Sequence, residues 1–280
     1  MLPDAPVVFF HIPKTAGTTL ITLFQRIFAG RTQYITGRGG SSHIEDCARF
    51  LDLPAETGGG FGLVAGHLEM PVIRAIPGKP FVFTFLRKPW ERLVSLYCFV
   101  KRTPGHHMHQ WIVQRDASLE EFVRNCPWDE LQNGMTRRLA GVALGRSGDK
   151  QLLRMAMDNI QRYFSFVGLQ ESFDKSLFCL GRQLSIDANA LVSTKENVNP
   201  DPKAGPDVDA AARERILSYN ALDFELYGLC SSKFRAESAR LFKGPVLKEF
   251  NTFKRTVKAP GARLERASRG LKVQESRLLP

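Results

Sequence analysis

The sequence predicts an α/β protein with a P-loop-like, three-layer fold, in which helices flank a central, mainly parallel sheet. Short apolar segments alternate with amphipathic segments along the chain, which is the pattern of strand–helix–strand units. The segment Phe81–Leu86 is apolar at every position but Thr84, as expected of a central strand that is buried on both faces. A second apolar segment, Val7–Phe10, leads through a short loop into a helix.

The remaining elements follow from hydrophobic periodicity and from turn-forming residues. Further strands are predicted at residues 62–67 and 164–169. Amphipathic patterns predict helices at 20–28, 44–53, 90–100, 119–125, 128–139, 150–163, 173–184 and 208–217. Clusters of Gly, Ser, Pro, Asp and Asn predict loops at 37–42, 57–62 and 197–206.

The composition is that of a protein with a sizeable core. Of the 280 residues, 43% are hydrophobic, which is enough for such a core. No segment has the ~18 uninterrupted apolar residues of a transmembrane helix, and the first residues lack a signal-peptide pattern. The five Cys residues are scattered without zinc-site spacing. We therefore expect reduced thiols and a cytoplasmic location, with a peripheral position at the inner membrane left open.

The positive charge is concentrated at the C-terminus. Residues 233–280 hold 13 Lys or Arg against 4 Asp or Glu, and so carry +9 of the net charge of +11. We therefore predict a main domain at 1–232 and a basic extension at 233–280, helical or partly disordered. Because the main domain is nearly neutral and has no nucleic-acid-binding motif, nucleic acid is not expected as a partner.

The basic extension contains one amphipathic segment. Val246, Phe250, Phe253 and Val257 recur at helical spacing among basic residues. Such a segment could lie on an anionic membrane, bind an anionic polymer, dock on the main domain, or stay solvated. The sequence leaves these four alternatives open.

The loop at residues 13–19, Pro-Lys-Thr-Ala-Gly-Thr-Thr, has the composition of an anion site. The first amides of a helix have no intrahelical partner, and the helix dipole favours a negative charge there. Gly17 lets the backbone approach a ligand, and Lys14 adds a point charge. The Lys precedes the Gly, so the loop is not a Walker A sequence. The residues predicted to contact a phosphate-like group are Lys14, Thr15, Ala16, Gly17, Thr18 and Thr19.

A second anion site is predicted at the end of the strand Phe81–Leu86. Arg87 follows this strand directly, and Ser95 lies two helical turns further on. Ligands of open α/β sheets bind beyond the carboxyl ends of the strands, and an Arg fork with a hydroxyl suits a phosphate. Taken alone, the pattern also describes a surface Arg before an amphipathic helix. The prediction therefore depends on its combination with the first loop.

Together the two segments resemble the sulfotransferases that use 3′-phosphoadenosine 5′-phosphosulfate (PAPS). His-Ile-Pro-Lys-Thr-Ala-Gly-Thr-Thr at 11–19 is similar to the 5′-phosphosulfate loop of that superfamily, and Arg-Lys-Pro-Trp-Glu-Arg-Leu-Val-Ser-Leu-Tyr at 87–97 is similar to its 3′-phosphate segment. They look most like the uronyl 2-O-sulfotransferases of heparan and dermatan sulfate and their bacterial relatives. Weaker similarities at 66–67, 132–141, 166–173 and 219–227 extend the resemblance over about residues 5–230.

The resemblance implies transfer of a sulfuryl group from PAPS, as co-substrate, to a hydroxyl of a saccharide-type acceptor, without a metal ion. It implies that Lys14 and the loop up to Thr19 hold the 5′ end of the nucleotide, where Lys14 also stabilises the leaving phosphate. Arg87 and Ser95 are implied to hold the 3′-phosphate.

The general base implied by the resemblance is His67, since an ordinary His pKa lies near working pH. A structural role for His67 at the end of its strand stays open, and Glu69, a further substrate-binding candidate, is the fallback base. Arg137 is expected to contact the substrate, with Arg138 and Arg124 as alternatives.

Two other functions remain open from sequence. One is a P-loop kinase-like enzyme, which would need a carboxylate at a strand end to hold Mg²⁺, and the other is a non-catalytic nucleotide- or glycan-binding module. His106, His107 and His109 lack nearby carboxylates, so a solvated turn is expected there rather than a metal site.

Overall fold

The computed structural model of the protein describes residues 3–37, 42–142, 149–192, 206 and 208–258. Its centre is a five-stranded sheet with the order β2-β3-β1-β4-β5, in which every pair of neighbouring strands is parallel. The strands are β1 (Val7–Phe10), β2 (Gln33–Ile35), β3 (Leu63–Gly66), β4 (Phe81–Leu86) and β5 (Phe166–Leu169). The predicted α/β class with a parallel sheet is confirmed, and the sequence-based prediction missed β2.

Thirteen α-helices lie in the described part of the chain and flank the sheet. They are α1 (Gly17–Ile27), α2 (His43–Leu51), α3 (Ala55–Gly60), α4 (Met70–Ala75), α5 (Pro89–Arg102), α6 (His109–Arg115), α7 (Leu119–Asn125), α8 (Gly134–Ala140), α9 (Asp149–Tyr163), α10 (Phe173–Gln183), α11 (Ala210–Ser218), α12 (Ala221–Leu241) and α13 (Gly244–Lys258). Helix α3 occupies most of the segment 57–62, where the sequence predicted a loop.

Strand β1 is the middle of both the sheet and the core. All four of its side chains are fully buried. Phe9 stacks on Phe83 of β4 with 4.8 Å between the ring centroids, and Phe24 of α1 packs on the same ring at 4.9 Å. These contacts join the first helix to the two central strands, because burial of large aromatic rings contributes strongly to core stability.

The strand order creates a crevice between β1 and β4. The chain leaves β1 towards β2 on one side of the sheet and leaves β4 towards β5 on the other side. This is a topological switch point, where ligands of open α/β sheets bind beyond the carboxyl ends of the strands. The loop that follows β1 and the residue that follows β4 therefore face the same crevice.

The helix predicted at 128–139 is interrupted at Asn133. A 3₁₀ turn at Asp129–Leu131 precedes Asn133, which has a left-handed backbone (φ 54°), and α8 starts one residue later. The side chain of Asn133 accepts bonds from the amides of Leu222 and Asp223 in α12. Its own amide donates to the side chain of Asn220. These tertiary bonds override the local helical pattern.

The C-terminal segment packs on the rest of the protein. Helix α12 runs without a break through the predicted division at residue 232, so the change in charge is not an element boundary. In α13, Phe250 and Phe253 are buried and pack on Phe178 of α10 at 5.4 and 5.6 Å. Up to residue 258, docking on the body is therefore the alternative that is observed; residues 259–280 of the predicted extension lie outside the described residues.

Candidate functional site

The loop after β1 is held in a tight conformation by its own residues and by α5. Lys14 and Ala16 both have positive φ angles, 69° and 74°, which are uncommon for residues other than Gly. The hydroxyl of Thr15 is buried and donates to the carbonyl of Ile12 at 2.8 Å. Thr15 therefore stabilises the loop, and its side chain is not available to a ligand, contrary to prediction.

Gly17 allows the loop to pack directly against His11. A Cβ atom added at Gly17 would lie 1.8 Å from Nε2 of His11, far inside any normal contact. The prediction gave a different reason for this glycine, namely close approach of the backbone to a ligand. The His11 ring, predicted to lie beneath the loop, packs against Gly17 and also lines the cavity.

Helix α1 presents its N-terminus to the crevice without a side-chain cap. Its N-cap is Ala16, and its first turn contains no acidic residue. Ala16, Gly17, Thr18 and Thr19 all line the cavity that fills the crevice. A helix start with these properties leaves amide donors for an anion.

Arg87 joins the two predicted anion sites. Its Nη1 donates to the backbone carbonyl of Lys14 at 3.1 Å, which bridges the ends of β4 and β1. Its Nε is buried and has no hydrogen-bond partner among the residues that the structure describes. Ser95 lies two turns along α5 and lines the same cavity. Arg87 and Ser95 therefore line the same cavity as the loop of Lys14.

The ammonium group of Lys14 lies in a partly desolvated position. Its Nζ is 3.8 Å from the centroid of the Phe99 ring, a cation–π contact. Burial lowers the pKa of Lys14 to about 8, and the nearby charges of Arg102 and Arg87 act in the same direction. This Lys is poised to bind an anion, because an anion would restore the lost stabilisation of its charge.

His67, at the end of β3, is held as a neutral ring. Its Nδ1 lies 3.1 Å from the backbone carbonyl of His11, and its ring stacks on the His11 ring at 4.4 Å. A carbonyl can only accept, so Nδ1 carries the proton and Nε2 keeps a lone pair. Burial lowers the pKa of His67 to about 4, and the charge of Arg138 adds to this effect.

The two predicted substrate contacts lie outside the cavity. Glu69 is at the edge of the site, 3.8 Å from His43 and 4.0 Å from Arg138, and burial raises its pKa. Arg137 donates to the backbone carbonyl of Gln132 and does not line the cavity. Its neighbour Arg138 does line it. Of the three Arg alternatives, Arg138 is the one placed at the site.

A buried network of ion pairs anchors the Lys14 loop to the surrounding helices. Arg92 is fully buried, pairs with Glu130, and donates from Nε to the carbonyl of Pro13 at 3.2 Å. Glu130 also pairs with Arg138. Asp223 lies 4.0 Å from Arg92 and accepts bonds from Thr136 of α8. The network thus ties the Lys14 loop to α5, α8 and α12, a role that sequence reasoning did not assign to Arg92.

One cavity of about 1520 Å³ connects these groups. Its lining includes Lys14, the start of α1, Arg87, Ser95 and His67. It also includes residues that the sequence analysis did not propose: His43, Trp90, Phe99, Arg102, Trp128 and Arg213, together with the unassigned His106 and His107. In the superfamily that the sequence resembles, the loop corresponding to Lys195, Asn197 and Asn199 closes over the nucleotide, and all three residues lie outside the described part of the chain.

The described part of the chain contains neither a metal-binding cluster nor a membrane-spanning helix. No cluster of three or more His, Cys, Asp or Glu residues is arranged there to hold a metal ion. His109 does not join His106 and His107 at the cavity, since its Nδ1 bonds the carbonyl of Val100 at 2.9 Å. None of the helices among these residues has the length and apolar character needed to cross a bilayer.

A parallel α/β sheet with cations and a helix N-terminus converging at its switch point defines a protein that binds phosphorylated ligands. The model of the galactose-3-O-sulfotransferase family matches residues 1–260. The chain therefore belongs to the galactose-3-O-sulfotransferase family. This places it in the carbohydrate branch of the PAPS-dependent sulfotransferases.

Individual relatives are distant. The chain is 22% identical to galactose-3-O-sulfotransferase 2 of Mus musculus over 259 residues, which is 80% of this chain and 60% of that protein. It is 25% identical to heparan-sulfate 6-O-sulfotransferase 2 of Gallus gallus over 283 residues, covering 82% and 67%. A crystal structure of mouse sulfotransferase SULT7A1 with PAP matches with a TM-score of 0.37 at 13% identity, covering 96% and 90%.

Proposed function

We propose that this protein transfers the sulfuryl group of PAPS to a hydroxyl of a galactose-containing acceptor. The observation that carries the proposal is the bond from Arg87 to the carbonyl of Lys14, which joins two anion-binding groups in one cavity. A nucleotide phosphorylated at both its 3′ and 5′ positions needs two such groups at a fixed separation. Family membership supplies the sulfuryl chemistry and the galactose.

The residues present suit the nucleotide. Lys14 and the uncapped start of α1 would hold the 5′-phosphosulfate. Arg87, whose buried Nε has no partner among the described residues, and Ser95 would hold the 3′-phosphate. PAPS, when bound, supplies an activated sulfuryl group attached to a phosphate leaving group. Lys14 would stabilise the negative charge that develops on that phosphate as the sulfur–oxygen bond breaks.

His67 would activate the acceptor. Its Nε2 keeps a lone pair because Nδ1 donates to His11, and its lowered pKa keeps the ring neutral near pH 7. The acceptor hydroxyl would give its proton to Nε2 while its oxygen forms the new bond to sulfur. The products are a sulfate ester, 3′-phosphoadenosine 5′-phosphate (PAP) and a protonated His67.

We infer the acceptor from the family match and not from the resemblance to uronyl 2-O-sulfotransferases. The sequence looked most like uronyl 2-O-sulfotransferases, but the matching family model and one of the two relatives are named for galactose. The chain spans 60% of the length of that mouse relative. We therefore propose a galactose hydroxyl as the acceptor group and leave a uronic acid polymer as the competing outcome of the test.

Calorimetry and a labelled-donor assay test the proposal. PAP should bind more tightly than ATP, and labelled PAPS should sulfate β-galactosides in preference to uronic acid polymers. His67→Ala should reduce transfer about 10²- to 10⁴-fold while PAP affinity stays unchanged. His109→Ala, a histidine outside the cavity, is the matched control. Tighter binding of ATP would contradict the proposed donor, and full transfer by His67→Ala would remove His67 as the base.

A further inference from the structure

Four aromatic residues form a continuous surface on one side of the cavity. We call Phe99, His106, His107 and Trp128 the aromatic wall. His106 and His107 stack on each other at 4.4 Å, and both rings contact Trp128, at 5.1 and 5.2 Å. Phe99 contacts His106 edge-on at 5.8 Å. All four line the same cavity as Lys14 and His67, yet none has a role in the chemistry proposed above.

One end of the aromatic wall, at Phe99, lies beside the proposed position of the sulfuryl group. Phe99 carries the ammonium of Lys14 on its ring face, and Lys14 is the residue assigned to the leaving phosphate. At its other end, His107 shares the cavity with His43, whose ring lies 5.8 Å from the His67 ring. The wall therefore extends from Lys14 towards the proposed base.

This end of the cavity has little net charge of its own. Burial lowers the pKa of His106 to about 4 and also lowers the pKa of His107, so both rings are neutral at pH 7. Arg138 is compensated by the buried Glu130 and by Glu69. Arg102, another cation of the cavity lining, acts on Lys14 and so lies on the side of the transferred group. An uncharged sugar suits such a surface better than a uronate does.

We propose that the aromatic wall is the acceptor subsite, where it binds the apolar face of a galactose ring and turns a hydroxyl towards His67. This inference rests on the proposed function. The axial O4 of galactose leaves the C–H groups of C3, C4 and C5 together on one face, and this face packs on aromatic rings. In glucose the equatorial O4 breaks up that face. The wall therefore selects galactose over its epimer, in addition to positioning it.

Binding measurements on the PAP-loaded protein test the wall without relying on turnover. Methyl β-galactoside and methyl β-glucoside are titrated separately and followed by NMR. His107→Ala removes an exposed ring, and Trp128→Phe is the second variant because Trp128 also packs on Phe122 at 6.4 Å. The matched controls are His109→Ala and Trp111→Phe, since Trp111 packs on the same Phe122 at 6.1 Å but lies outside the cavity.

We expect both wall variants to weaken galactoside binding about 3- to 10-fold and to reduce the preference for galactoside over glucoside. PAP affinity should change less than about twofold. Unchanged galactoside affinity overturns the inference, and so does a parallel loss of PAP affinity, which would place the wall in the nucleotide site. If the galactoside binds through the wall but no sulfate is transferred, the proposed function fails and the subsite stands. If the PAP-loaded protein binds no galactoside, the subsite fails whatever the activity.

Discussion

The guanidinium of Arg87 donates to the backbone carbonyl of Lys14 at 3.1 Å, so the ends of β4 and β1 are joined by a direct hydrogen bond. Seventy-three positions separate these residues in the chain. The bond holds a guanidinium beside the loop that carries the Lys14 ammonium, and both residues line one cavity. A ligand with two anionic groups would engage both cations, whereas a ligand with a single anionic group would engage one.

The first prediction concerns recognition of the 3′-phosphate by Arg87. Arg87→Ala should weaken PAP binding about 10- to 100-fold, since a charge-assisted hydrogen bond contributes about 1.5–3 kcal/mol. Binding of adenosine 5′-phosphate, which lacks the 3′-phosphate, should change much less. Calorimetry with both ligands measures how much affinity the variant loses for each nucleotide. An equal loss for the two nucleotides would show that Arg87 acts only by holding the Lys14 loop.

The sequence alone predicts where the two anion-binding residues lie, because each of them closely follows an apolar segment that is predicted to be a strand. Lys14 comes after β1 and Arg87 after β4, and parallel strands bring their carboxyl ends to one edge. The sequence alone does not show which of Arg137 and Arg138 faces the site. Adjacent helical residues point about 100° apart, and the rotation of α8 depends on the left-handed Asn133, which bonds to a helix some 90 residues away.

The aromatic wall shows a second limit of the sequence. The sequence predicts a solvated turn at His106 and His107, because no carboxylates that could complete a metal site lie near them in the chain. Their partner is Trp128, about twenty positions later, and the contact exists only when α6 and α7 pack together on α5. Hydrophobic periodicity predicts which face of a helix is buried, but it does not predict which loop will reach a cavity.

The second prediction is a pH dependence of nucleotide affinity that arises from Lys14. In the free protein its pKa is lowered to about 8, mainly by burial, and a bound phosphate raises it. Affinity for PAP should therefore be constant below about pH 7 and should fall above pH 8, by up to about tenfold per pH unit, until the pKa of the complex is reached. Lys14→Arg stays protonated and should remove this slope. Calorimetry between pH 6.5 and 9.5 measures it, and the same slope in the variant would assign it to another group.

The third prediction is the acid limit of catalysis by His67. A base works in its neutral form, and a pKa lowered to about 4 keeps His67 neutral well below its ordinary titration range. kcat/KM reports ionisations of the free enzyme, so it should hold down to about pH 5 and fall near pH 4. Enzyme returned from pH 4.5 to pH 7 must regain full activity, which excludes irreversible unfolding as the cause. If kcat/KM already falls at pH 6.5, the His67 ring is solvated or another group is the base.

The fourth prediction tests the packing of the loop against His11. Gly17→Ala places a Cβ inside the His11 ring. We expect a loss of about 1–3 kcal/mol in the free energy of unfolding together with weaker PAP binding, because the loop must shift. Adding His11→Ala should restore much of both, since the bond from His67 uses the His11 backbone carbonyl.

Gly228→Ala in α12 is the matched control for Gly17→Ala. A Cβ at Gly228 meets no atom within 4 Å, so this change should stabilise the protein by about 0.4–1 kcal/mol. Urea unfolding measures all of these variants. A Gly17→Ala protein as stable as the parent would show that His11 can move away from the loop at little cost.

The fifth prediction concerns the buried network centred on Arg92. Its fully buried guanidinium neutralises Glu130, lies 4.0 Å from Asp223 and donates to the carbonyl of Pro13. Burial alone would raise the pKa of Glu130, but the charges of Arg138 and Arg92 bring it below its ordinary value. Arg92→Met should therefore lower the free energy of unfolding by about 3–5 kcal/mol, because it leaves buried carboxylates undercompensated.

Two further variants separate the Arg92 network from a general effect of removing charge. Arg215→Met breaks the exposed pair with Glu120 and should cost far less, because water screens that pair. Adding Glu130→Gln to Arg92→Met should recover part of the stability, since one of the two undercompensated carboxylates is then replaced by a neutral amide and Asp223 alone remains. It should not recover PAP affinity, because Pro13 and the Lys14 loop still lack their anchor in α5. If PAP affinity returned together with stability, Arg92 would serve the fold alone.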